Sequence, residues 1–312
     1  MKHDTKITMS KTAKIKRRPL DGVLLLDKPK GISSNNILQK VKYLYRAVKA
    51  GHAGTLDPMA TGLLPICFGE ASKFNHQLLN NRKTYRFTCR LGEATNTGDA
   101  EGEVIATAAI PELSTALLET AMVNFTGDIQ QIPPMVSALH HEGKRLYELA
   151  REGIEVARPA RDITIDALTL IEFDDHSFTA EVTCSKGTYV RVLAEDIAKS
   201  IGTLGHLTML RRTEVAPYFA PTLITMEDLE AALLENRADE LLLPVDSAIA
   251  DFPILIFNEE ETARLKNGQK IAFPHTLDEQ FYRLYAYDQT FLGLGERHLP
   301  HVIKPSRLIQ IQ

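Results

Sequence analysis

The chain has 312 residues and 44% hydrophobic content, enough for one large domain and a small one. It holds no apolar run near the roughly 20 residues that cross a bilayer and no secretory pattern, so a soluble cytoplasmic protein is expected, its three scattered cysteines reduced and mostly buried. A net charge of −4 speaks against a uniformly basic nucleic-acid binder, yet residues 226–262 hold eleven of the 40 acids against Arg237 alone, and the remaining 29 acidic and 35 basic residues could still present a basic face to phosphates.

In chain order, residues 1–19 read as a flexible basic arm, with ordered structure expected from Gly22. The apolar run Val23-Leu24-Leu25-Leu26, closed by Asp27-Lys28-Pro29-Lys30-Gly31, predicts a buried strand and a turn that places Lys28 at the strand's end. Ser33 or Ser34 can cap the helix that follows, on which Ile37, Val41, Leu44 and Tyr45 share a face. Next comes Gly51-His52-Ala53-Gly54-Thr55-Leu56-Asp57-Pro58-Met59-Ala60-Thr61-Gly62, a loop that must bend sharply. Asp57 in it has two readings: an N-cap with Pro58 opening a helix, or a carboxylate available for chemistry.

Leu63 to Gly69 should be buried, and a helix is expected near 72–79. Lys83 to Leu91 alternates, with Tyr85, Phe87, Cys89 and Leu91 on the core face, so the Tyr85 hydroxyl needs a partner or a cavity. Ala94 to Gly102 reads as a turn or ordered loop, and 111–125 as a helix broken by Gln130-Gln131-Ile132-Pro133-Pro134-Met135. His140 to Arg161 is rich in charge and suits a surface excursion touching a polyanion, with a short helix over 145–152. The pair His140-His141 lacks partners at ligand spacing, and no metal is expected.

A second alternating strand, Phe178 to Cys184, runs into Ser185-Lys186-Gly187-Thr188-Tyr189-Val190-Arg191 and a helix ending at Gly202, which puts Arg191 at a strand-to-helix junction where a guanidinium can grip a carboxylate or phosphate. His206 to Thr213 is a further strand carrying Leu210 and ending in two arginines. After acidic helices near 226–235 and a linker at Pro244 to Pro253, short strands over 254–257, 269–273, 281–287, 291–295, 301–303 and 308–311 predict a small β-barrel module.

Five of these motifs, Asp27 to Gly31, Gly51 to Pro58, Lys83 to Arg86, Gln131 to Pro134 and Ser185 to Arg191, occur in an order and spacing that resembles the TruB family, bacterial tRNA pseudouridine synthases acting on uridine 55 of the T-loop. Asp-Lys-Pro alone would carry no weight; five motifs in order are specific. The resemblance covers about residues 20–250. It implies an α+β pseudouridine synthase fold, a mixed and largely antiparallel sheet flanked by helices, with a PUA-like RNA-binding β-barrel over 251–312 and an RNA-gripping insert at about 129–161.

The implied reaction isomerises uridine without a cofactor. By the resemblance Asp57 is the nucleophile, Arg191 pairs with it and holds its pKa down, and Tyr85 packs on the target ring. Tyr189 and Leu210 line the pocket, His52 contacts the flipped-out nucleotide, and Lys28 and Pro29 support the cleft. The implied partner is the tRNA T-arm stem-loop, bound by a monomer with no membrane and no obligate protein partner. A catalytically silent RNA binder and a guide-RNA-dependent relative are the rivals; the Asp57, Tyr85 and Arg191 set disfavours the first and the insert the second.

Overall fold

The computed structural model describes residues 16–137 and 139–310. Most of the expected basic arm lies outside the described residues. Its last part is fixed: Arg18 bridges to Ala47 along the backbone and its guanidinium forks onto Asp239, so order begins ahead of Gly22.

Strand β1 (Gly22–Lys28) shows why its sequence is continuously apolar. Leu24 and Leu26 enter one buried cluster and Val23 and Leu25 another, so both faces are covered and no polar alternation is tolerated. Helix α1 (Ser34–Leu44) starts at Ser33, whose hydroxyl accepts the Asn36 N–H, and buries Ile37, Leu38 and Val41. Strands β2 (Ala50–His52) and β3 (Thr61–Phe68) flank the glycine-rich loop. A 3₁₀ turn and α2 (Asn75–Asn80) lead to β4 (Lys83–Leu91), in which Tyr85, Phe87, Cys89 and Leu91 are buried as the alternation predicts.

The expected turn or ordered loop over 94–102 is, from residue 96 on, the connection of a hairpin between β5 (Glu93–Thr95) and β6 (Val104–Thr107). Helix α3 (Thr115–Val123) and β7 (Gly127–Gln131) precede the charged excursion, which holds a two-residue ladder of β8 (His140–His141) and β9 (Lys144–Arg145) and helix α4 (Leu146–Arg151). The sheet resumes with β10 (Arg161–Phe173), β11 (Ser177–Cys184), α5 (Val190–Ser200) and β12 (Gly205–Val215). Strands β7 and β10 escape the sequence reading; register shifts at Ile165/Ala167 and Leu170/Glu172 break the period of β10.

Eight strands make one sheet in the order β1-β3-β12-β4-β11-β10-β7, with β2 beside β3. Every pair is antiparallel except β3 with β12, which meet in parallel at Thr61 and Gly62 opposite Arg211 and Arg212. Gly62, at φ +95°, is required there, because a Cβ would lie 2.2 Å from the Arg212 carbonyl oxygen. The expected mixed, largely antiparallel sheet is therefore what the chain forms.

Helix α6 (Met226–Leu234) opens with a Thr225/Asp228 capping box. The stretch expected as a linker is packed instead: its 3₁₀ turn Val245–Ile249 buries Ala248 and Ile249 against the sheet face opposite α1. Beyond it, β13 (Ile254–Phe257), α7 (Glu259–Lys266), β14 (Ile271–Ala272), β15 (Phe281–Ala286), β16 (Phe291–Leu299) and β17 (Val302–Leu308) surround their own core. Their order is β13-β15-β16-β17-β14 with open ends, a half-barrel; the strand expected at 301–303 extends as β17 to Leu308, and residues 309 and 310 beyond it are not in a strand. Phe291 against Phe74 and Leu294 among Val23, Leu63 and Cys67 dock this module on the large sheet. A buried leucine there contributes about 1.5–3 kcal/mol.

Candidate active site

Asp57 lies between β2 and β3 and caps no helix. Its carbonyl accepts the Ala60 N–H at 3.1 Å, making a β-turn with Pro58 in second place, the arrangement that Asp-Pro favours when no helix follows. Both flanks of Asp57 are pinned. On one side the buried Ser34 hydroxyl donates to the Leu56 carbonyl at 3.0 Å and accepts its N–H at 2.8 Å. On the other, the fully buried Lys28 ammonium donates to the carbonyls of Pro58 at 3.2 Å and Ala60 at 2.7 Å, and also to that of Pro29 at 3.1 Å. Burial pulls the Lys28 pKa down to about 8, with Asp57 and Glu101 opposing the fall.

The Asp57 carboxylate keeps 39% of its side-chain surface exposed and meets the Arg191 guanidinium at 3.0 Å, while Arg191 itself is only 3% exposed. Arg191, in the first turn of α5, reaches four acceptors: Asp57, Asp99 at 3.6 Å, and the carbonyls of Thr97 and Val136, each at 2.8 Å. A cation so buried needs this full set, since an unpaired one would be strongly destabilising. Asp99 is held in turn by the Thr97 hydroxyl at 2.7 Å and the Glu101 N–H at 3.1 Å.

The expectation that Arg191 holds the Asp57 pKa below the ordinary value is not met. Burial pushes the carboxyl up and the Asp99 charge adds to it; Arg191 and Lys28 pull the other way and lose. The physical reason is that the water stripped from the carboxylate by burial stabilised its charge more than the Arg191 and Lys28 cations do in its place.

Tyr85 is buried on β4 opposite Arg212 of β12, and burial raises its phenol pKa against the pull of the nearby Arg212 charge. Arg212 is fixed by the carbonyls of Leu63 at 2.8 Å and Gly54 at 3.1 Å. His52 is half-buried, its Nδ1 has no partner, and burial with the nearby Arg212 charge keeps its pKa down. Tyr189, half-buried ahead of α5, feels the charges of Asp57 and Arg191, and burial raises its pKa. Leu210 belongs to the same buried cluster as Leu56, Met59 and Tyr85. Pro29 is exposed and contributes only its carbonyl.

The fold thus gathers Asp57, Arg191, Tyr85, Tyr189 and Lys28 into one charged neighbourhood, with Leu210 in the adjoining core and His52 beside Arg212. Sequence reasoning missed Asp99, gave Arg212 no part, and quoted Gln131 only within a motif. Nothing near Asp99 in the chain advertises its partner, because Arg191 comes from a distant helix. The arrangement can present one ionised carboxylate, fixed in direction by a guanidinium, beside an aromatic ring.

Similar architecture occurs in solved structures: a Cbf5–Nop10–Gar1 complex matches with a TM-score of 0.70 at 23% identity over 90% of this chain and 79% of that one. A box H/ACA ribonucleoprotein bound to a substrate RNA containing 2′-deoxyuridine matches with a TM-score of 0.72 at 20% identity, over 93% and 85% of the two chains. Family models agree. Residues 42–190 match the N-terminal domain of TruB family pseudouridylate synthases, 191–250 the C-terminal domain of tRNA pseudouridylate synthase B, and 253–309 the C-terminal part of pseudouridine synthase II TruB. Fold and matched domains define a pseudouridine synthase whose half-barrel is PUA-like.

The tRNA pseudouridine synthase B of Neisseria meningitidis serogroup A is 52% identical over 91% of this chain and 93% of its own, and that of Actinobacillus succinogenes 47% identical over 96% and 98%. The chain belongs to the TruB family. Among the described residues no helix is long and apolar enough to cross a membrane.

Proposed function

We propose that this enzyme isomerises uridine 55 in the T-loop of tRNA to pseudouridine, with Asp57 as nucleophile. The observation that carries the reading is the half-exposed Asp57 carboxylate, paired at 3.0 Å with a buried Arg191 that two backbone carbonyls and Asp99 hold in place. A carboxylate serves only when ionised and aimed, and Ser34, Lys28 and Arg191 supply the aim. The bond from sugar to base nitrogen breaks, the base turns, and a bond to ring carbon 5 forms; that carbon gives up a proton and the nitrogen gains one, so no cofactor is required.

A T-loop uridine is out of reach until it leaves its stack, at a cost of a few kcal/mol. Tyr85 offsets part of this by packing on the extruded ring, worth about 1–3 kcal/mol. Tyr189 and Leu210 line the pocket, His52 contacts the flipped nucleotide, and Lys28 and Pro29 support the cleft. The catalytic domain spans about 20–250, its insert at 129–161 grips the T-arm stem-loop, and the PUA-like domain from 251 adds RNA contacts. The enzyme works in the cytoplasm as a monomer without a metal, a cofactor or an obligate protein partner.

The test is turnover of the purified chain alone on an unmodified tRNA transcript labelled with tritium at ring carbon 5 of uridine. Release of tritium is expected, and none from a transcript with cytidine at position 55. Silence of the purified chain, or equal release from both transcripts, removes the assignment.

A further inference from the structure

The Gln131 motif is one that the chemistry above leaves unused. Gln131 is the last residue of β7, where it stands opposite Arg161 of β10, so the two ends of the insert meet at this register pair. Its side chain is not spent on the sheet. It is buried and crosses to the residue ahead of α5: the Tyr189 N–H donates to Gln131 Oε1 at 2.8 Å, and Gln131 Nε2 donates to the Tyr189 carbonyl at 3.1 Å. A carboxamide is the side chain that offers an acceptor and a donor side by side, and here it stands in for a strand partner where the backbone leaves β11 and has not yet entered α5. Five residues beyond Gln131, the Val136 carbonyl accepts from Arg191 at 2.8 Å. Three hydrogen bonds therefore lace the first stretch of the insert to Tyr189 and Arg191.

We propose that Gln131 is a positioning residue, acting through the Tyr189 backbone to set where the Tyr189 ring and the Arg191 guanidinium stand, so that the root of the insert and the active site form one unit. The inference rests on the reading that Tyr189 and Arg191 serve the isomerisation. A side chain that only filled space at this place would affect stability and leave the chemical step alone. One that sets geometry acts on the rate constant of the folded enzyme, because a shift of about 1 Å at a reacting group costs on the order of 100-fold.

The experiment compares Gln131→Met, which keeps the length and removes both hydrogen bonds, with Gln131→Glu, which keeps the acceptor and loses the donor. Single-turnover rate constants on a T-arm stem-loop are measured per folded molecule, alongside equilibrium affinity for the same RNA. Gln131→Met is expected to lose about 100-fold in rate and Gln131→Glu about tenfold, with affinity within about threefold of the parent. A parental rate constant in folded Gln131→Met, or a loss of affinity at unchanged rate, overturns the proposal. Should Gln131→Met fail to fold, a parental rate in Gln131→Glu overturns it alone. Asp57→Asn run in parallel separates the readings: if that variant is dead while both Gln131 variants run at the parental rate, only the role of Gln131 falls; if Asp57→Asn turns over normally, the reading of the site falls first.

Discussion

The molecule carries charge in two contrasting ways. In the catalytic domain's interior the cations are buried and held by fixed acceptors: Lys28 by three carbonyls, Lys83 by those of Leu78, Leu79 and Asn81, Arg212 by two, and Arg191 by two carbonyls and two carboxylates. In the insert Lys144, Arg145 and Arg151 are exposed, and the Lys144 to Glu152 pair at 3.4 Å lies on the surface. Burial raises the penalty for a missing partner, so the first set fixes geometry. Solvent screens the second, which can exchange one partner for another and suits a ligand that must bind and leave.

The comparison breaks first at Asp57. Asp57→Asn should lose at least about 10⁴-fold in single-turnover rate while RNA affinity holds; normal turnover would reduce Asp57 to a turn residue. Next is stability: Lys28→Met leaves the three carbonyls it serves without a donor and should lower the unfolding free energy by about 3 kcal/mol, read from urea denaturation. The triple change Lys144→Ala, Arg145→Ala and Arg151→Ala should stay within about 0.5 kcal/mol, and equal costs in the two regions would erase the distinction.

Tyr85→Phe keeps the stacking face and loses the hydroxyl; folding and RNA affinity should hold while the rate falls by about 100-fold, within the range removed with a proton-transfer group. A parental rate would take the hydroxyl out of the chemistry. For the insert the effect is on binding: the triple alanine variant should weaken T-arm affinity about tenfold and flatten its dependence on salt by roughly two to three charge equivalents. An unchanged slope would show that these charges do not meet phosphate.

The smallest effect concerns pH. Because the Asp57 pKa is raised, mainly by burial, the carboxyl gains its proton as pH falls through a value above the ordinary carboxylate range, and kcat/KM should decline there. Asp99 contributes to that rise, so Asp99→Asn should move the acid limb to lower pH, whatever it does to the maximal rate. A limb that stays in place would show that the Asp99 charge is not felt at Asp57.

Much of the frame was legible. The continuous apolar run of β1, the alternation of β4, the Ser33 cap and the helix of Arg191 depend on near neighbours, which sequence displays. What failed had non-local causes: bulges hid β10, and the expected linker at 244–253 is anchored by Ala248 and Ile249, which another part of the chain covers. Helix α7 was missed although Asn258 and Glu261 form a local capping box, a signal passed over amid expected strands.

The candidate site divides in the same way. The sequence by itself determined the supply of a carboxylate in a tight turn, an inward tyrosine and an arginine opening a helix, because turn chemistry, strand period and helix starts are set within a few residues. Only the tertiary structure decided that Arg191 serves Asp57 and Asp99 at once, that Asp57 opens a turn instead of a helix, and that burial outweighs ion pairing in its pKa. Desolvation and charge pairing depend on which groups the fold brings within a few ångströms, and that is decided by long-range packing.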